Sequence, residues 1–126
     1  MTAMNCDAMD AAKYSRFAAR ARMDENWGLA RVFEESADID RAEHFPSEAE
    51  LEGIISDSPD NLRTAVDAER TEAAMLSKFA EQATADGDLE AASVFRKVSR
   101  DKTERLGRFE AELEELGVHS DVRTLS

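Results

Sequence analysis

Apolar and small residues recur three and four positions apart along most of the chain, the spacing of a helix buried on one face. One stripe includes Tyr14, Phe17, Ala18 and Ala21, and a second includes Ala30, Phe33 and Ala37. A third carries Leu62, Val66, Leu76, Phe79 and Ala83. A fourth carries Leu89, Ala92, Phe95, Val98, Leu106, Phe109 and Leu113. Alternating β-branched runs are absent, so strands are not expected. The pattern predicts a first helix over residues 5–23, a turn at 24–26, and a second helix over 27–44 that stops before Pro46. Residues 45–57 read as the longest linker, held against the packed helices by Leu51, Ile54 and Ile55. A third helix opens with Ser58 as N-cap and Pro59 at its first position, and ends near Ala85. Asp86, Gly87 and Asp88 then supply a C-terminal glycine and the next N-cap. The fourth helix runs over 89–116, leaving a polar tail at 118–126.

Two helical hairpins joined by a long connection bury their stripes as a four-helix bundle, so the fold class is all-α. The hairpins are also copies of one another. When Ala11 is laid on Ala73, Ala12, Ser15, Phe17, Ala18 and Ala21 fall on Ala74, Ser77, Phe79, Ala80 and Ala83. Further on, Asp24, Ala30, Val32 and Phe33 fall on Asp86, Ala92, Val94 and Phe95. Such a repeat is one supersecondary unit used twice. The acids Asp7 and Asp10 meet Glu69 and Glu72, but Asp40 and Glu43 meet Lys102 and Arg105.

The length of 126 residues suits one domain spanning 1–126. A formal charge of −12 argues against nucleic acid and anionic membrane surfaces as partners, since both select clustered Lys and Arg. The lone Cys6 excludes an intramolecular disulfide and a cysteine-rich metal module, and is expected to be a small buried residue. No apolar run approaches the ~20 residues that span a bilayer. The amino terminus lacks the basic flank and apolar stretch of a signal peptide, so the expected location is cytoplasmic. Tyr14 and Trp27 read as core residues.

A charge in register with an apolar stripe carries more information than one on a solvated face, because burying it costs several kcal/mol unless it is paired or binds metal. Seven residues before Tyr14 lies Asp7, and seven after Phe33 lies Asp40, with Glu43 or His44 a turn later. Stepping back from Ala73 and Leu76 reaches Glu69, with Glu72 three residues on. Seven residues after Phe95 lies Lys102, followed by Arg105. One layer of the bundle would thus hold acids from three helices and bases from the fourth.

In these residues the chain resembles the rubrerythrins, a branch of the ferritin-like superfamily, over roughly residues 6–115. The resemblance rests on AKYSRFAARARMDENWGLARVFEESAD and NLRTAVDAERTEAAMLSKFAEQATADGDLEAASVFRKV. It implies a ferritin-like four-helix bundle and a di-iron carboxylate centre. In that family a Glu precedes the first-helix Tyr by seven residues, where this chain has Asp7. The third helix carries Glu-x-x-Glu, matched by Glu69 and Glu72. The second and fourth carry Glu-x-x-His. Here the second reads Asp40-Arg-Ala-Glu43 with His44 one position late, and the fourth reads Lys102-Thr-Glu-Arg105. The four-cysteine rubredoxin-like module is absent from this sequence. The family's habit of pairing implies a homodimer, with the long connection allowing exchanged hairpins.

Two readings follow. In the first, Lys102 and Arg105 stand where metals would, making a salt-bridge network inside a metal-poor or metal-free structural or interaction protein. In the second, Asp7, Asp40, Glu43, Glu69 and Glu72, with His44 as a nitrogen ligand, bind iron or manganese for peroxidase or oxidase chemistry, since oxygen-rich donor sets suit such cations. His44 alone, near a helix carboxyl end, reads as a partner for the helix dipole.

Overall fold

The structure, a computed structural model, describes the backbone of residues 2–125 and the side chains of residues 2–117. The described backbone is all-helical and contains no strand. In order come α1 (Ala3–Met23), α2 (Trp27–Ile39), a π-helical turn (Asp40–His44), α3 (Phe45–Glu52), α4 (Ser58–Ala85) and α5 (Leu89–Leu125). The chain divides into two compact units, Met1–Ile55 and Ser56–Ser126. The first is a hairpin of α1 and α2 with α3 continuing from it. The second is a hairpin of α4 and α5. No helix among the described residues is long and apolar enough to cross a membrane.

The two hairpin turns repeat bond for bond. After α1, the Asp24 and Asn26 amides donate to Arg20 and Ala21 carbonyls; after α4, Asp86 and Asp88 donate to Gln82 and Ala83. Asn26 Oδ1 then caps α2 by accepting from the Leu29 amide, as Asp88 Oδ1 accepts from Ala91 to cap α5. The central residue needs left-handed backbone in both copies. Gly87 supplies it at φ 79°, and Glu25 is forced to φ 58°.

Each hairpin closes on a seam of alanines, which lets the helix backbones approach. Ala11, Ala18, Ala21, Ala30 and Ala37 are buried in the first; Ala73, Ala80, Ala83 and Ala92 are buried with Val66 in the second. The larger stripe residues flank these seams. Tyr14 and Phe17 meet Phe33 at ring distances of 6.0 and 5.4 Å, and Phe79 meets Phe95 at 5.7 Å. Phe17, Met9, Phe79 and Met75 nevertheless remain exposed, because a two-helix seam covers only its centre line. Trp27, at the start of α2, and Cys6 are also exposed rather than in a core.

The segment expected as a linker is helical as far as Glu52. Proline cannot donate to the carbonyl four residues back and its ring crowds that turn. The chain avoids the conflict by widening one turn: the Phe45 amide donates to the Asp40 carbonyl five residues earlier, and Pro46 enters near the start of α3. The helix stops instead at Gly53, whose φ of 66° is left-handed. Leu51, Ile54 and Ile55 are exposed and do not anchor the segment. Asp57, rather than Ser58, caps α4, its Oδ1 accepting from the Asp60 amide at 2.9 Å. Helix α5 continues past Gly117 through the segment read as a tail, whose side chains lie outside the described residues.

Candidate functional site

In the first hairpin, Asp7 of α1 faces Asp40 and His44 of the π-helical turn. His44 Nδ1 lies 2.8 Å from Asp40 Oδ1, a hydrogen bond that the ring N–H donates, and 4.0 Å from Asp7 Oδ1. One ligand atom from each of the three falls within 4.8 Å of the others. Asp40 is only 8% exposed, whereas the His44 side chain is 54% exposed. In a regular α-helix, residues four apart drift about 40° around the axis, because 3.6 residues make a turn. The wider π-turn takes up that drift. It carries His44, one position late by the Glu-x-x-His pattern, to the side of Asp40 and leaves Glu43 exposed and outside the group.

Glu48, one turn into α3, stands beside Asp7 but outside this group. Its Oε2 is shielded from solvent and accepts no hydrogen bond. Its carboxyl is pushed above the usual range, first by hydrogen bonding with Asp7, then by burial and by the Asp7 charge, with His44 opposing. Among the described residues, no Lys or Arg forms an ion pair with Asp7, Asp40 or Glu48. The spacing of four through Asp40, His44 and Glu48 signals this residue in the sequence. A helix ended before Pro46 conceals it.

The equivalent layer of the second hairpin is neutralised by the chain itself. Glu69, only 8% exposed, accepts from Arg105 Nη1 at 3.2 Å, and Lys102 Nζ lies 3.6 Å from its other oxygen. Lys102 is also 3.9 Å from Glu72. One turn further along, Arg70 reaches Glu110 at 3.3 Å. Ser99 Oγ ties α5 to α4 by donating to the Ala73 carbonyl at 2.9 Å.

The repeat therefore juxtaposes the same pair of positions twice. Residue 7 approaches the Asp40 turn in the first unit, and residue 69 approaches Lys102 in the second. Acid meets acid with an imidazole in one, and acid meets ammonium in the other. The predicted ligands Asp7, Asp40 and His44 are brought together, while Glu69 and Glu72 share the cations of their own hairpin. No protein-family model, curated protein or solved structure matches this chain.

Proposed function

We propose that this chain is a ferritin-like, rubrerythrin-type bundle protein whose paired-metal centre has given way to an internal Lys/Arg–carboxylate network, and whose role is structural or interactive. The contact of Lys102 and Arg105 with Glu69 carries the reading. A bridging carboxylate is needed where Lys102 stands, and an ammonium there both repels metal ions and occupies the acids that would bind them. The donor set thus does not fit a centre of two metals. Lys102→Glu combined with Arg105→His should give a protein that takes up more iron or manganese per chain than the wild type. Two ions per chain in the wild type, measured by elemental analysis after metal supplementation, would overturn the reading.

A homodimer, with hairpins exchanged or not, belongs to the same proposal. Phe17 and Met9 on one hairpin and Phe79 and Met75 on the other leave apolar faces that a bundle would bury. Light scattering from micromolar to millimolar concentration should give twice the chain mass. A monomer throughout that range would refute the pairing.

The group of Asp7, Asp40 and His44 favours a second reading, an iron- or manganese-binding oxidoreductase of peroxidase or oxidase type. Peroxide consumption by metal-supplemented protein, lost in Asp40→Asn, would support it. No turnover above the free metal would eliminate it.

A further inference from the structure

We propose that a second copy of this chain docks at the tip of the second hairpin, laying the cationic face of its α1 over an acid-rimmed apolar groove. The inference rests on the homodimer reading and names the contact that holds the pair together.

Phe79 and Ala83 of α4, with Ala91 and Phe95 of α5, line a groove of about 520 Å³ whose rim carries Asp86 and Asp88. That volume lies in the range of ligand pockets, so side chains of another helix fit it. An adjoining groove of about 340 Å³ shares Asp88, Ala91 and Phe95 and adds Glu90 and Val94. Among the described residues no Lys or Arg lines either groove. The rim acids meet only neutral partners: Asp86 accepts from the Gln82 side-chain amide at 2.9 Å, and Asp88 from the Ala91 backbone at 3.1 Å.

The matching surface is on α1. Residues 11–23 hold Lys13, Arg16, Arg20 and Arg22 and no acid, the longest acid-free run in the chain. Lys13, Arg16 and Arg20 lie three or four residues from one another or from Phe17, so they frame that ring on one face of the helix. Phe17 is 46% exposed. The groove thus offers aromatic floor and negative rim, and α1 offers an exposed ring inside a positive frame.

The repeat shows that neither charge set is required by the hairpin itself. Lys13, Arg16 and Arg20 correspond to Met75, Lys78 and Gln82, while Asp86, Asp88 and Glu90 correspond to Asp24, Asn26 and Gly28. Neutral Asn26 caps its helix as Asp88 does, so capping does not demand the charge at 88. Asp24, the one rim acid kept in the first hairpin, is held by Arg20 at 3.3 Å. The copies have diverged in opposite senses, and this complementarity selects a second copy as the occupant. In a chain of net charge −12, such local attraction offsets the repulsion between two acidic bodies. Each copy carries both surfaces, so a two-fold pair forms the contact twice.

The test reverses each surface separately in the full-length chain and measures self-association by sedimentation. Lys13→Glu with Arg16→Glu reverses the cationic face, and Asp86→Lys with Glu90→Lys reverses the rim. All four residues are exposed. Each variant should self-associate more weakly by about tenfold or more, because like charges then meet across the contact. The rim variant separates this contact from general charge effects, since it makes the chain less acidic and would pair more tightly if overall repulsion governed. Combining all four substitutions should restore wild-type affinity. Mixing the two variants should give a one-to-one complex in which both contacts are attractive again. Glu90→Lys alone keeps the test open should circular dichroism show that the change at Asp86 disturbs the turn.

A dimer as tight as wild type in both variants would overturn the proposal and leave the homodimer reading standing. A rim variant that pairs more tightly than wild type would overturn it too, as would a combined variant that stays as weak as its parents. A wild-type monomer at millimolar concentration would end both readings.

Discussion

Removing the Lys102 ammonium tests whether the second hairpin depends on its ion pairs. The Lys102 side chain is 19% exposed and lies 3.6 Å from the carboxylate of Glu69, whose side chain is 10% exposed, and 3.9 Å from that of Glu72, whose side chain is 44% exposed. At an effective dielectric near 20, the Glu69 contact alone is worth about 4–5 kcal/mol of gross attraction, offset by desolvation. Breaking a fully buried pair costs about 3–5 kcal/mol, and a surface pair about 0–1. Lys102→Ala falls between, because Arg105 still donates to Glu69 at 3.2 Å and Glu72 can turn to water. A loss of about 1–2 kcal/mol is expected, or about 3–12 °C in Tm for a chain of this size. Far-UV circular dichroism during heating measures it. Lys102→Met, which keeps the aliphatic stem, separates charge from packing. Adding Glu69→Gln should reduce the penalty of Lys102→Ala by at least half, the signature of direct coupling. A Tm within about 1 °C of wild type for Lys102→Ala, or full additivity in the cycle, would refute the ion-pair network.

The paired turns offer a cleaner comparison. Glu25→Gly should stabilise by about 0.5–1 kcal/mol by relieving left-handed backbone, and Gly87→Glu should destabilise by a similar amount. A Cβ at Gly87 would meet no atom within 4 Å, so only backbone conformation is at stake. Thermal shifts of the same sign in the two variants would refute the equivalence. A further expectation concerns pH. Lys97 Nζ donates to Asp101 Oδ2 at 2.9 Å and holds that carboxyl below the usual aspartate range. A carboxyl lowered on folding stabilises above its unfolded pKa, and that contribution is lost as pH falls through the folded value. Carboxyl NMR should show Asp101 titrating below ordinary aspartates, with the difference removed in Lys97→Ala. An unchanged midpoint in that variant would reject the assignment.

Much of this architecture is legible in the residues themselves. Spacing and punctuation identify the helices and both turns, since Asp86, Gly87 and Asp88 carry their conformational demands openly. The shared register of Asp7 with Glu69, and the reversal of Asp40 to Lys102, anticipate which side chains oppose one another within each hairpin. Pro46 misleads because its rule concerns the regular helix, and one wider turn evades it. Glu48 is concealed by the same step. The exposure of Phe17 and Phe79 has a different origin: periodicity specifies which face of a helix is apolar, but not what covers that face. Ala18 and Ala80 could be assigned to a seam, while the ring one residue earlier stays half exposed within its own hairpin.

The duplication makes each hairpin a control for the other. Were the acids at 7 and 69 retained only for solubility, nothing would tie either to the identity of the residue opposite it. Instead Glu69 is buried where Lys102 and Arg105 reach it, and Asp7 faces a layer in which an imidazole and a raised carboxyl have gathered. The buried carboxylate meets the chain's own ammonium in one hairpin and an imidazole in the other. On the metal-binding reading, exchanging Asp40 and Lys102 between the hairpins should therefore move metal binding to the second unit only in part. Leu106 stands where His44 provides nitrogen, and no α3 follows to present a counterpart of Glu48. The metal response of that exchanged variant would distinguish a site made by one charge from a site that also needs the π-helical turn.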